Sequence, residues 1–344
     1  MDTSSLSFPA SHILQLATLL RRWEIPVGEL LMGSGLTEED LVRAHARVNT
    51  ATLVALSERA RRLSGEPALG IYLGLQRRAS MYGYLGFAID SASTVREVLE
   101  LTIRYSQTVT QALSFELHER EGQAWLAINE YVDLGSSHDI ALFSLLLGMQ
   151  SLMIQRSGGQ QPADAFRQAG YKIDMPIPKP AYFDRFAHMM PETRFKQPLT
   201  RVHFNASLLE HKLRAPNPAA VSLAKEACER ELERLSESSR LPSRVQRMAV
   251  SEKGLLTLAE VAQELHISVR TLKRRLSELG LRYSELVEKQ RHQQALDLLA
   301  YSDHSIDEIA DRLCYANGAN FSRAFRRWTG ESPAHYRRRS RTGD

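Results

Sequence analysis

Cysteine is nearly missing from this chain: Cys228 and Cys314 are the only two in 344 residues, and neither has a His or a second Cys at metal-ligand spacing. That argues against a disulfide scaffold or a zinc site, and it fits a reducing cytoplasm. Long apolar runs are missing too. The longest, Ile140–Met149, is about half a membrane span and reads as a buried helix, so no membrane partner is expected. No basic segment followed by an apolar core opens the chain, so a signal peptide is not expected. Neither sign of charge dominates. The chain has 44 Lys+Arg against 40 Asp+Glu, a net +4 that is too mild by itself to name nucleic acid as a partner. No Ser-His-Asp constellation, Gly-rich phosphate loop or metal spacing appears, so no catalytic residue, cofactor or metal is expected.

What is present is 43% apolar residues over a length that suits two domains. The first eighty residues read as helical, with Ile13, Leu16, Ala17 and Leu20, and then Leu53, Leu56, Ala60 and Leu63, on helical stripes. Leu36–Asp40 reads as a capped helix start and Asp90–Tyr105 as a further helix, capped by Ser93 or Thr94. The period then changes to two. Leu113, Phe115 and Leu117 alternate with polar residues, as do Ala124, Leu126 and Ile128 after Glu121-Gly122, which predicts a hairpin with one buried face. Asp139–Ile154 is apolar nearly all round and is expected inside the domain. A proline-rich stretch (175–180), a short strand at Val202–Phe204 and a charged helix from Pro218 to Leu235 follow. Mixed periods predict an α+β domain over residues 1–235. The serines and proline of residues 236–253 read as a linker. Tyr82, Tyr84, Trp125 and Tyr131 are aromatic candidates for a small-molecule site, although packing is the plainer reading of each.

The last quarter carries most of the charge excess. From Ser251 onward there are 16 Lys+Arg and 13 Asp+Glu, leaving 28 and 27 before it. Here the chain repeats itself. Leu258–Leu265, a turn, then Thr271–Leu276 resembles Ile306–Leu313, a turn, then Asn320–Phe325. Each copy has the parts of a helix-turn-helix. Ala262 and Ala310 allow close helix approach, Ser268 can cap a second helix, and Leu272/Leu276 and Phe321/Phe325 give that helix a buried face. The outer faces then carry Arg270, Lys273 and Arg274 in one copy and Asn320, Ser322, Arg323, Arg326 and Arg327 in the other. Ser268 and Thr271 join them as candidate DNA contacts at the first turn. Arg pairs bidentately with guanine and Asn with adenine, while further cations neutralise phosphate. A breaker-free segment, Tyr283–Tyr301, reads as one helix joining the copies, so the fold expected here is all-α. Arg337–Arg341 reads as a basic tail and Cys314 as a small buried residue.

Residues 255 to about 338 resemble the DNA-binding domain of the AraC/XylS family of bacterial regulators. The strongest part runs from Ala319 through Phe321, Arg323, Phe325, Arg326-Arg327, Gly330 and Ser332-Pro333 to Tyr336-Arg337. Cys314 departs from the glycine usual at the helix exit, and His266 occupies a turn position that favours positive φ. By that resemblance the base-reading positions fall on Arg270, Lys273 and Arg274, and on Ala319, Asn320 and Arg323. The first 235 residues more loosely resemble the arabinose-binding-type N-terminal domain of one branch, through Gly83–Ala88 with Ser93-Thr94 and Pro191–Phe195. The resemblance implies effector sensing or dimerisation without naming a sugar.

The sequence thus predicts a cytoplasmic, effector-controlled activator, with residues 1–235 for the effector or for dimerisation and 254–344 for DNA. Its expected partners are double-stranded promoter DNA, RNA polymerase, an unidentified small molecule and, optionally, a second copy. A regulator controlled by a protein partner or by its own level stays open. A DNA-targeted enzyme is the remote alternative, because Cys228 stands beside a carboxylate that opposes thiolate formation.

Overall fold

Ile13, Leu16, Ala17 and Leu20 lie on the buried face of the first helix, α1 (Ser11–Leu20), in a computed structural model that describes residues 7–43, 46–157, 169–235, 237–251 and 254–342. The chain divides into two units, Met1–Ser236 and Glu237–Asp344. Short helices α2 (Val27–Leu31) and α3 (Glu38–Val42) follow α1. Thr37 starts α3: its hydroxyl accepts the Asp40 N–H while the Asp40 carboxylate accepts the Thr37 N–H. The Asn49 side chain caps α4 (Thr50–Ser64) by accepting the Thr52 N–H at 2.8 Å. With α5 (Leu69–Leu75), these helices close a first core around Ile13, Leu30, Leu56, Ala60 and Leu69. A two-stranded ribbon, β1 (Ser7–Pro9) against β2 (Arg47–Asn49), was not anticipated. Three residues per strand are too few for a period, and the ribbon is held by Arg47 reaching the Ser7 hydroxyl and carbonyl, 40 residues away.

The second core lies between a five-stranded sheet and helices. Residues 90–105, expected as one helix, are divided between α6 (Gly83–Ser91) and α7 (Val95–Val109), because Thr94 caps the second of these. The expected hairpin is β3 (Leu113–Arg120) and β4 (Gln123–Glu130). After α8 (His138–Ser157) come β5 (Lys172–Asp174), β6 (Glu192–Arg194) and β7 (Thr200–Asn205), in the sheet order β3-β4-β7-β5-β6 with only β5 and β6 parallel. Helix α9 (Pro218–Arg234) completes the unit. Leu99, Phe115, Leu126, Phe143, Val202 and Phe204 form the centre. Gly70 and Gly74 let α5 approach α8: a Cβ on either would fall 2.5 Å from Ile140 O or Leu147 Cβ. The segment Gly135–Arg156 is long and apolar enough to cross a membrane, but 61% of its apolar window is buried here, as expected of a core helix.

Glu237–Ala249 is a helix of the second unit, where a linker was expected. The serine-rich composition concealed Leu241, Val245 and Ala249, which recur every four residues and are all buried. Ser236 and residues 252–253 of that stretch lie outside the described residues. A minimal ribbon, Val250–Ser251 with Gly254–Leu255, leads into an otherwise all-helical region.

His12 sets an acid limit on the first unit. It sits edge-on to Phe8, with ring centroids 6.2 Å apart. Burial, then the Arg77 and Arg47 guanidiniums, lower its pKa from 6.5 to about 3. The neutral ring is therefore the folded form, while the unfolded chain takes up a proton near 6.5. Its stabilising contribution is complete above that value and is lost as the pH falls toward about 3. Urea denaturation at a series of pH values should show wild type losing stability below pH 6.5 more steeply than His12→Phe, by a slope of up to one proton. Parallel curves would remove this role from His12.

Candidate nucleic-acid interface and internal cavity

The two copies in the second unit are built alike, bond for bond. Thr257 and Ser305 open the scaffold helices Leu258–Glu264 and Ile306–Arg312. Each hydroxyl accepts the N–H three residues on, at 3.2 and 3.1 Å, and each answering carboxylate, Glu260 or Glu308, accepts the cap's N–H at 2.6 Å. Those backbone bonds hold both carboxyls below their usual range. Ala262 and Ala310 are fully buried at the closest approach. The chain then turns through one left-handed residue, His266 (φ 55°) or Cys314 (φ 57°). The N–H after it returns to the alanine carbonyl: Ile267 to Ala262 at 3.0 Å, Tyr315 to Ala310 at 2.8 Å. Cys314 is exposed rather than buried, because it stands at the exit of the turn and not on the helix's inner face.

After this turn the copies differ by one residue in register. Ser268 caps the first reading helix, Val269–Glu278, by accepting the Thr271 N–H at 3.1 Å. Asn317 caps the second, Gly318–Thr329, by accepting the Asn320 N–H at 2.8 Å. Leu272/Leu276 and Phe321/Phe325 are buried, as their spacing predicted. Gly318 is required by close approach: its N–H meets Asp307 Oδ1 at 3.0 Å, and a Cβ would lie 2.3 Å from that oxygen.

None of the candidate DNA contacts is buried. Arg270, Lys273, Arg274, Ala319, Arg323, Arg326 and Arg327 are exposed, as is Ser268, while Thr271, Asn320 and Ser322 are half-buried. The Ser268 and Thr271 hydroxyls bond each other at 2.8 Å. The cations divide into three groups. Arg270, Lys273 and Arg326 have no hydrogen-bond or ion-pair partner among the described residues. Arg274 pairs with Glu278 at 2.6 Å and Arg323 with the Asn320 side chain. Both are exposed contacts within one helix and cost little to exchange for phosphate or base. Arg327 is committed elsewhere: it bonds Glu288 of the connecting helix, which also accepts the Trp328 indole N–H at 2.7 Å. The Trp328 bond, followed by Arg327, lowers the Glu288 pKa.

The connecting helix, Tyr283–Tyr301, has the predicted bounds. Its nineteen residues span about 28 Å. It is anchored by polar groups that no hydrophobic pattern reveals. Gln246 donates to Gln290 at 3.0 Å in a buried pair, His292 lies 5.0 Å from Trp328, and Arg291 sits 4.7 Å over the Tyr315 ring while donating to the Cys314 carbonyl. The basic run expected as a tail is a helix, Pro333–Thr342. Ser332 Oγ accepts the His335 N–H, and Tyr336 is buried against Phe325. Arg339 pairs with Glu331 at 2.7 Å and Arg337 donates to the His304 carbonyl, so these two hold the domain together. The side chain of Arg341 lies outside the described residues.

The first unit has a partly open cavity of about 630 Å³ between the sheet, α6, α7 and α8. Of the four aromatic candidates, Tyr82 lines it. Tyr84 is half exposed on α6, Trp125 is buried with its ring stacked on His118, and the Tyr131 hydroxyl bonds Ser114. The Cys228 thiol is pushed up to about 11 by burial, then by Glu231 and Glu229, which leaves it without thiolate character at neutral pH. Among the described residues no cluster of three metal-ligating side chains occurs.

Residues 25–213 match the family model described as the N-terminal arabinose-binding domain of AraC transcription regulator, and residues 261–339 match a helix-turn-helix domain. The chain is 29% identical over 331 residues to an ornithine utilization regulator of Pseudomonas aeruginosa, covering 96% of each. It is 27% identical over 280 residues to the transcriptional regulator VqsM of the same species, covering 78% of this chain and 83% of that one. Among solved structures, the transcriptional regulator CdpR from P. aeruginosa aligns over 95% of this chain and 98% of its own at 21% identity and TM-score 0.47. A DNA-binding transcriptional dual regulator from Escherichia coli K-12 aligns over 30% of this chain and 93% of its own at 32% identity and TM-score 0.28.

The left-handed turn can be tested by substitution. Cys314 adopts φ 57° with its side chain in solvent. Replacing it by glycine removes a Cβ penalty without opening a cavity. Cys314→Gly should raise the stability of the second unit by ~0.5–1 kcal/mol, and the β-branched Cys314→Val should lower it by a similar amount. Urea denaturation of the three proteins checks both signs.

Proposed function

The chain belongs to the AraC family of transcription regulators, and on that premise we propose that it is a promoter-specific activator whose first unit answers to a small molecule. The reading rests above all on the twice-built reading helix. Each copy buries one apolar face and exposes Arg270, Lys273 and Arg274, or Arg323 and Arg326 beside the half-buried Asn320. These residue types supply bidentate base contacts and phosphate contacts at the helix's first turns. The connecting helix of about 28 Å supports a separation comparable with the roughly 34–36 Å between successive major grooves. One chain then reads two half-sites without a second copy, and the faces turned away from DNA are left for RNA polymerase in the cytoplasm.

On this reading residues 237–342 bind DNA, and the unit before Glu237 is the sensor, with the internal cavity as the effector site. The names of the relatives point to arabinose and ornithine as effectors to try there. Control requires that the effector bind the DNA-competent arrangement better than the alternative.

The reading is tested by fluorescence anisotropy with fragments of candidate promoters and with scrambled DNA at physiological salt. Specific binding should exceed scrambled by about a thousandfold or more, and equal affinities would overturn the proposal. In run-off transcription, output should rise when the chain is added. Arg323→Ala should cost ~1–3 kcal/mol on the preferred site and relax base choice in one half-site. Arg326→Ala should weaken all sequences alike and reduce the salt slope by about one.

A further inference from the structure

The cavity in the first unit has a lining that selects its occupant. Leu99 on α7, Leu145 and Met149 on α8, and Leu126, Val202 and Phe204 on the sheet make its walls hydrocarbon. Among the described residues no Lys or Arg lines it; its ionisable groups there are the Tyr82 and Tyr171 phenols, His211 and Glu210, whose carboxylate already accepts the Arg96 Nε–H at 2.8 Å. Thr102 and Ser106 of α7, and Thr110 just beyond its end, line the cavity at four-residue intervals. Two of them are engaged. Thr102 donates to the Val98 carbonyl at 2.8 Å and Thr110 accepts the Ala112 N–H at 3.2 Å. The middle residue, Ser106, is 5% exposed, and its buried Oγ has no hydrogen-bond partner among the described residues.

A buried hydroxyl without a partner is costly, and in a lined cavity it marks where a ligand's polar atom belongs. A volume of about 630 Å³ is the size of a drug-like molecule's site. We propose that the cavity binds an uncharged, largely hydrocarbon molecule with one hydroxyl or carbonyl group, which bonds to Ser106. The same lining opposes the two ligands named for the relatives. Arabinose would bring several hydroxyls to walls that satisfy few of them, and ornithine would bring a carboxylate and two ammonium groups to walls with no Lys or Arg among the described residues. As an assignment of the effector, this rests on the regulator reading; as an assignment of the cavity's ligand class, it does not.

The experiment uses the full chain and the apolar dye N-phenyl-1-naphthylamine, whose fluorescence rises on entering a dry site. The dye should bind, 1-decanol should displace it at micromolar concentration, and L-arabinose and L-ornithine should not displace it at millimolar concentration. Ser106→Ala should weaken displacement by 1-decanol about two- to tenfold while leaving displacement by decane unchanged. Leu145→Trp, which fills the space from a half-buried wall position, should abolish dye binding. If that chain does not fold by circular dichroism, Met149→Phe takes its place. Absence of dye binding, displacement by arabinose or ornithine, or a Ser106→Ala chain that treats decanol as wild type does would each overturn the assignment. Promoter affinity is measured on the same preparation. DNA binding without dye binding sinks the cavity proposal alone, and dye binding without DNA preference sinks the regulator reading alone.

Discussion

The reading helices are aimed by one left-handed residue in each copy. His266 and Cys314 close their scaffold helices and let the next N–H return to a buried alanine carbonyl. The return bond fixes the angle at which the following helix leaves, and with it which face is buried. A non-glycine residue in this conformation costs about 1–2 kcal/mol. Both copies carry that cost, offset by the Thr257–Glu260 and Ser305–Glu308 capping boxes on one side and by Leu272/Leu276 or Phe321/Phe325 on the other.

Holding the two copies together is a separate task, and the arginines are divided between the two. Arg327 and the Trp328 indole converge on Glu288, which fastens the second reading helix to the connecting helix. Arg337 and Arg339 tie the last helix to the turn before Ile306 and to Glu331. A run such as Arg326-Arg327 therefore contains one cation available for phosphate and one already engaged. Losing the engaged one would disturb both the architecture and the charge, whereas losing Arg326 removes a surface charge that no other described side chain pairs with.

The elements legible in the sequence were those whose cause is local. The connecting helix is bounded by its own pattern, and the reading helices by Ser268, Leu272 and Leu276 at fixed spacing. The β3–β4 hairpin follows from alternation about Glu121-Gly122, which supplies the two positive φ values of the turn. What was not legible depends on distant partners. The three-residue strands β5 and β6 exist through pairing with β7 and each other, and Glu237–Ala249 hides its apolar positions among serines. At the site, exposure and spacing revealed the cationic faces, but Glu288 could not be matched to residues 39 and 40 positions away. Aromaticity was the signal used for a ligand site. Most of the cavity's lining is aliphatic, its other aromatics are Phe115, Tyr171 and Phe204, and only Tyr82 of the four aromatic candidates reaches it.

That last contrast has a physical basis. Aromatic side chains in and beside a sheet are wanted for area and rigidity, and Trp125 within β4 and Tyr131 just after it are used in this way, one against His118 and the other through Ser114. A cavity persists only where packing stops short, and a dry hollow loses dispersion contacts on every wall. Leu145, Met149 and Met153 recur along α8, half-buried, in the lining that they share with Ser106. Any molecule that binds in such a cavity stabilises the unit around it.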